Sequence, residues 1–101
     1  MDEIKPMYNP PHPGEFIAAV YLEPFGVSAR HLAARLDVAP STLTRLLSGG
    51  NRVSPEMALR LSKTLGRSAE SWLTMQDAYD LWQARQHMNL DHVRPLELEI
   101  A

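Results

Sequence analysis

No cysteine occurs anywhere in the 101-residue chain. Disulfides, thiol nucleophiles and cysteine-ligated zinc are therefore excluded from its chemistry. No apolar run approaches the ~20 residues needed to cross a bilayer, and no signal-peptide pattern opens the chain. These absences predict a cytoplasmic protein with no membrane partner. No GxSxG, phosphate-binding loop, dinucleotide fingerprint or HExxH pattern appears. His87 and His92 are five residues apart, out of register for one helical face, and His12 and His31 are remote from them in sequence. Asp77 and Asp80 share a helical face, but as a solvated surface rather than as an acid and base. No metal site, no cofactor and no enzymatic activity are expected.

What the chain does hold is a partitioned charge. The net charge of −2 argues against indiscriminate nucleic-acid binding. Residues 28–67, however, carry seven cations (Arg30, Arg35, Arg45, Arg52, Arg60, Lys63, Arg67) against Asp37 and Glu56, a formal +5. Residues 1–27 come to −3 and residues 68–101 to −4. A basic middle between acidic ends fits one face for DNA and another for a different partner.

The length suits one domain with one modest core. Residues 1–12 contain three prolines and no period, which predicts an extended N-terminal arm. From Pro13 to about Glu23 a helix is expected, with Phe16, Ile17, Val20 and Tyr21 at core spacing and Pro24 and Gly26 ending it. Ser54-Pro55-Glu56 supplies an N-cap, a proline at N1 and a first-turn acid for a later helix, with Met57, Ala58, Leu61 and Leu65 inward and Gly66 at its end. Ser68 then caps a longer helix reaching about Gln86, on which Trp72, Met75, Tyr79 and Trp82 form one stripe. That is a large apolar load for a small domain, so part of it, near Trp82, suits a dimer or partner interface. Residues 87–101 form a tail in which Leu96-Glu97-Leu98-Glu99-Ile100 alternates as a short half-buried strand would. Such a strand pairs with a symmetry mate or a bound protein, or it stays unordered.

The centre of the chain is Ser28 to Gly49, SARHLAARLDVAPSTLTRLLSG. Leu32, Ala33 and Leu36 recur at helical spacing behind Ser28 as N-cap, and Leu43, Leu46 and Leu47 form a second stripe behind Pro40. Asp37-Val38-Ala39 between them permits only a sharp turn, giving a helix-turn-helix layout. Gly49 stands where a C-cap glycine belongs. The second helix exposes Ser41, Thr42, Thr44, Arg45 and Ser48, a face of hydroxyls and one arginine with no acid. Hydroxyls bond phosphates or base edges, and arginine forks onto guanine O6 and N7. The small residues at Pro40, Ser41 and Thr42 allow close approach to a groove floor. Asn51 and Arg52, just past the helix, are placed for phosphates.

Together these stretches resemble the HigA-type antitoxins within the phage-repressor-like (Xre) helix-turn-helix family. The resemblance rests on HPGEF (His12–Phe16), Gly26–Gly49, SPEMALRLSKTLG (Ser54–Gly66) and SWLTMQDAYDL (Ser71–Leu81). It implies an all-α, five-helix domain over residues 13–86, flanked by short extended tails, that dimerises on a palindromic operator. Asp37 stands where the family often has glycine, a tolerable departure because aspartate accepts the left-handed conformation. Ser41, Thr42, Thr44 and Arg45 are then the expected base-reading residues. Ser28, Arg30, Pro40, Asn51 and Arg52 are the expected phosphate contacts. Trp72, Tyr79, Trp82, Leu96, Leu98 and Ile100 are the expected dimer or partner surface. The implied partners are double-stranded operator DNA, a second copy, and a HigB/RelE-like endoribonuclease toxin that the protein neutralises while repressing the operon of both. A stand-alone regulator of the same fold is the alternative.

Overall fold

Each helix begins where a side chain or a proline can take over the start of the backbone ladder. In the computed structural model, which describes residues 9–99, His12 caps α1 (Pro13–Ile17) by accepting the Gly14 amide on Nδ1 at 2.9 Å. Ser28 caps α2 (Ala29–Leu36), Ser54 caps α4 (Pro55–Leu65) and Ser68 caps α5 (Ala69–His87). Each of these serine oxygens accepts the amide three residues on. The third helix, α3 (Pro40–Leu47), has proline at N1 and no side-chain cap.

The first helix departs from the expected register. After Ile17 it widens into a π-turn over Ala18–Leu22, closed by the Glu23 amide on the Ala18 carbonyl at 2.9 Å. An i→i+5 turn places Ile17 and Leu22 on one face. Leu22 is buried in consequence, and Val20, expected in the core, is 41% exposed.

The turn between α2 and α3 is made by Asp37, which adopts φ 60° and ψ 48°. Arg60 on α4 secures it, Nη1 donating to the carbonyls of Leu36 (2.8 Å) and Asp37 (3.0 Å). Those carbonyls sit at the end of a helix, where otherwise unpaired acceptors and the negative dipole favour a cation. Arg60 thus acts within the fold, although its charge alone counted toward the basic middle.

Ile17, Leu22, Leu32, Ala33, Leu36, Leu43, Leu46, Val53, Met57, Ala58, Leu61 and Trp72 form the core. The packed pairs are α1 with α3 and α5, α2 with α3 and α4, and α4 with α5. Trp72 corrects an expectation: it is 0% exposed and no part of an interface. Phe16 meets it edge-on at 6.0 Å, Tyr21 lies 6.3 Å away, and the Arg67 guanidinium covers it at 5.8 Å. The aromatic load on α5 is therefore divided between core and surface, because a 19-residue helix outruns the body it packs on.

Past α5, residues 88–99 form neither helix nor strand and are exposed. Leu96 and Leu98 are 79% and 73% exposed, without a partner strand among the described residues. Ile100, and residues 1–8 of the arm, lie outside the described residues.

Candidate nucleic-acid interface

Leu43 and Leu46 are wholly buried and pin α3 to the core, which turns the rest of that helix outward. Ser41, Thr44, Arg45 and Ser48 are exposed and Thr42 is half-buried. The hydroxyls are not equivalent. Thr44 Oγ1 donates to the Pro40 carbonyl at 2.9 Å and Ser48 Oγ to the Arg45 carbonyl at 3.1 Å. Their protons are committed to the helix, so they present acceptors outward. Ser41 and Thr42 form no side-chain hydrogen bond among the described residues and keep both roles.

Two groups flank this face. At the start of α2, Ser28 Oγ accepts the His31 amide at 3.0 Å, leaving its own proton to donate, and Arg30 is exposed. After α3, Gly49 takes φ 85° and the Gly50 amide returns to the Arg45 carbonyl at 2.8 Å. Asn51 is then half-buried. Arg52, expected at a phosphate, is engaged within the fold: its Nη2 and Nε lie 2.6 and 2.9 Å from Asp80 Oδ2, with Asp77 at 3.8 Å. Both partners are partly solvated, so the pair stabilises by at most about 1 kcal/mol. The Arg52 guanidinium is thus oriented by two carboxylates.

The loop is fastened more firmly from inside. Gln76, 1% exposed, accepts the Val53 amide on Oε1 at 2.7 Å and donates from Nε2 to Asp80 Oδ1 at 3.0 Å. One chain of bonds thus runs from Val53 through Gln76 and Asp80 to Arg52. It fixes residues 51–53, and with them the end of α3, to α5. Sequence reasoning missed Gln76. The available signal was a lone amide one helical turn after Trp72, on the inward face of α5.

His12 completes the clasp from the other side. The residue is 6% exposed and its ring meets Tyr79 edge-on at 4.9 Å. Burial lowers its pKa from the usual 6.5, against the opposing pull of the Asn51 carbonyl and of Asp80 and Glu15. The folded state thus binds the proton less readily than the unfolded chain. Stability from this site is present above about pH 6.5 and is lost as pH falls through the lowered folded value. A fall in thermal midpoint on acidification below pH 6.5, reduced in His12→Asn, is the expected result in melts across pH.

Of the seven cations in the basic middle, Arg52, Arg60 and Arg67 are engaged by Asp80, by helix-end carbonyls and by the Phe16 and Trp72 rings. Arg30, Arg35, Arg45 and Lys63 are exposed and make no ion pair among the described residues. Tyr79 and Trp82 are half-buried on α5. No cluster of three His, Asp or Glu side chains suited to a metal occurs among the described residues, and no described helix is long and apolar enough to cross a membrane.

The helix-turn-helix family profile (HTH_3) matches residues 20–72. The chain is 39% identical over 90 residues to the HTH-type transcriptional regulator YddM of Escherichia coli K12, spanning 89% of this chain and 95% of that protein. It is 35% identical over 85 residues to antitoxin HigA-1 of Vibrio cholerae, spanning 82% and 80%. Among solved structures it is similar to Pseudomonas aeruginosa antitoxin HigA with the higBA promoter, at TM-score 0.76 and 30% identity, covering 88% of this chain and 99% of that one.

Proposed function

The chain belongs to the helix-turn-helix family, among its HigA-like antitoxins and regulators, and from that premise we propose that it binds operator DNA sequence-specifically, represses its own operon and neutralises a HigB/RelE-like endoribonuclease toxin. The observation that carries the DNA half is the outward face of α3, hydroxyls and one arginine without an acid. It lies on a fold shared with an antitoxin solved with its promoter. In a two-fold dimer the two α3 helices enter successive major grooves about 34 Å apart. Thr42 and Arg45 read base edges there, with Ser41 and Thr44 beside them. Ser28, Arg30, Asn51 and the first turn at Pro40 meet phosphates, and Arg52 joins them from its seat on Asp80.

Removing one base-reading arginine tests this directly. Arg45→Ala is expected to weaken operator binding by about 1–3 kcal/mol and to relax preference at one base position. Titration of operator variants by the full chain checks both. Unchanged affinity together with unchanged base preference contradicts the assignment.

The toxin half rests on the similarity to antitoxin HigA-1. A second reading is a stand-alone regulator, the class named for the similar but uncharacterized HTH-type transcriptional regulator YddM. Affinity capture of the tagged chain from its host separates them. A stoichiometric small basic protein supports the antitoxin, and DNA without such a protein supports the regulator.

A further inference from the structure

Between α2 and α4 runs a groove built from residues other than those assigned to DNA. Two adjoining hollows of about 470 and 360 Å³ share Arg35, Lys63 and Thr64. His31 lines one of them, and Leu59 and Arg60 line the other. Asp37 is the single acid on its wall, and Arg35 and Lys63 enter no ion pair among the described residues. Like charges facing one another across a groove repel and call for an external anion. At the rim Leu59 is 64% exposed, a bulky apolar side chain beside the cations. The groove is cationic, edged with apolar surface, and without an anion of its own beyond Asp37.

The complementary surface stands on the same sequence. Along residues 88–99 the apolar Leu96 and Leu98 alternate with Glu97 and Glu99, and all four are exposed. In an extended chain such alternation separates the side chains, leucines to one face and glutamates to the other. Fully extended, this tail spans roughly 40 Å, long enough to leave its own body and reach a neighbour's.

We propose that this tail docks in the α2–α4 groove of a second copy, Glu97 and Glu99 against Arg35 and Lys63, with Leu96 and Leu98 on the apolar rim at Leu59. Exchanged reciprocally about a two-fold axis, the two tails close the assembly, leaving no free groove for a third copy. The inference does not depend on what α3 reads.

Sedimentation equilibrium of the full chain tests it by charge exchange. R35E/K63E alone and E97K/E99K alone are each expected to weaken self-association at least about tenfold. Combining all four changes restores it to within about threefold, because the pairs are re-formed with their signs reversed. The substituted residues are exposed, and thermal melts verify that each variant is folded. A wild-type chain that stays monomeric overturns the proposal. So does self-association that neither pair of substitutions weakens, or weakening that the combined variant fails to reverse.

Discussion

Gly14→Ala is expected to destabilise the protein by roughly 3 kcal/mol or more, with loss of cooperative unfolding at the working temperature as the extreme outcome. The reason is the crossing of α1 over the end of α3. A Cβ built on Gly14 would overlap the carbonyl oxygen of Leu46, with the Leu46 carbonyl carbon at 2.7 Å and Leu47 Cα at 2.8 Å. These are backbone atoms of a pinned helix, so no rotamer change can clear them. To fit one methyl group, α1 must lift from α3, and that motion pulls His12 from its cap and Ile17 from the core. By contrast, a Cβ on Gly26 or Gly66 meets nothing within 4 Å. Urea denaturation of Gly14→Ala checks the first claim. Loss of less than about 1 kcal/mol would mean that α1 is not seated on α3 as described.

Gln76→Leu carries the second large effect, an expected loss of about 2–4 kcal/mol. Leucine fills nearly the same space, so packing is largely kept and the cost comes from hydrogen bonding. The Val53 amide, on a residue with no exposed surface, loses its acceptor, and Asp80 loses a donor on the oxygen facing away from Arg52. A buried donor left without a partner costs far more than an exposed one. Gln76→Glu separates the two contributions: it keeps an acceptor for Val53 but sets a carboxylate beside Asp80. Denaturation measures the stability change. Hydrogen exchange at the Val53 amide locates it, with protection expected to fall in Gln76→Leu toward that of the surrounding loop. Unchanged protection would contradict the clasp.

Most of the helical frame could be read from the residues that begin and end helices. Ser28, Ser54 and Ser68 cap as their spacing requires, and Gly49 and Asp37 take the positive φ expected of them. Helix ends are legible because they depend on local chemistry within a few residues. The π-turn in the first helix was not legible, since it follows from how Ile17 and Leu22 both reach the core, a tertiary demand. For the same reason Val20 and Trp72 were misplaced: periodicity marks a stripe but not how much of it the rest of the molecule covers. On the proposed DNA face, exposure of Ser41, Thr44 and Arg45 was readable from the anchors Leu43 and Leu46. The contacts that hold the face were not. Arg52 with Asp80, Gln76 with Val53, and Arg60 with the α2 carbonyls join residues 23 to 28 positions apart, and a charge count cannot separate a structural arginine from a solvated one.

The central claim, that α3 reads duplex DNA while its flanks hold phosphates, is tested most directly by one titration. The full chain is titrated with duplex from its own promoter region, and with scrambled duplex of equal length, over a series of salt concentrations. Binding to the promoter duplex is expected to be at least about a thousandfold tighter than to the scrambled one. Log affinity should fall linearly with log salt, with a slope near −0.9 per phosphate contacted. Equal affinity for both duplexes, or affinity indifferent to salt, would contradict the account.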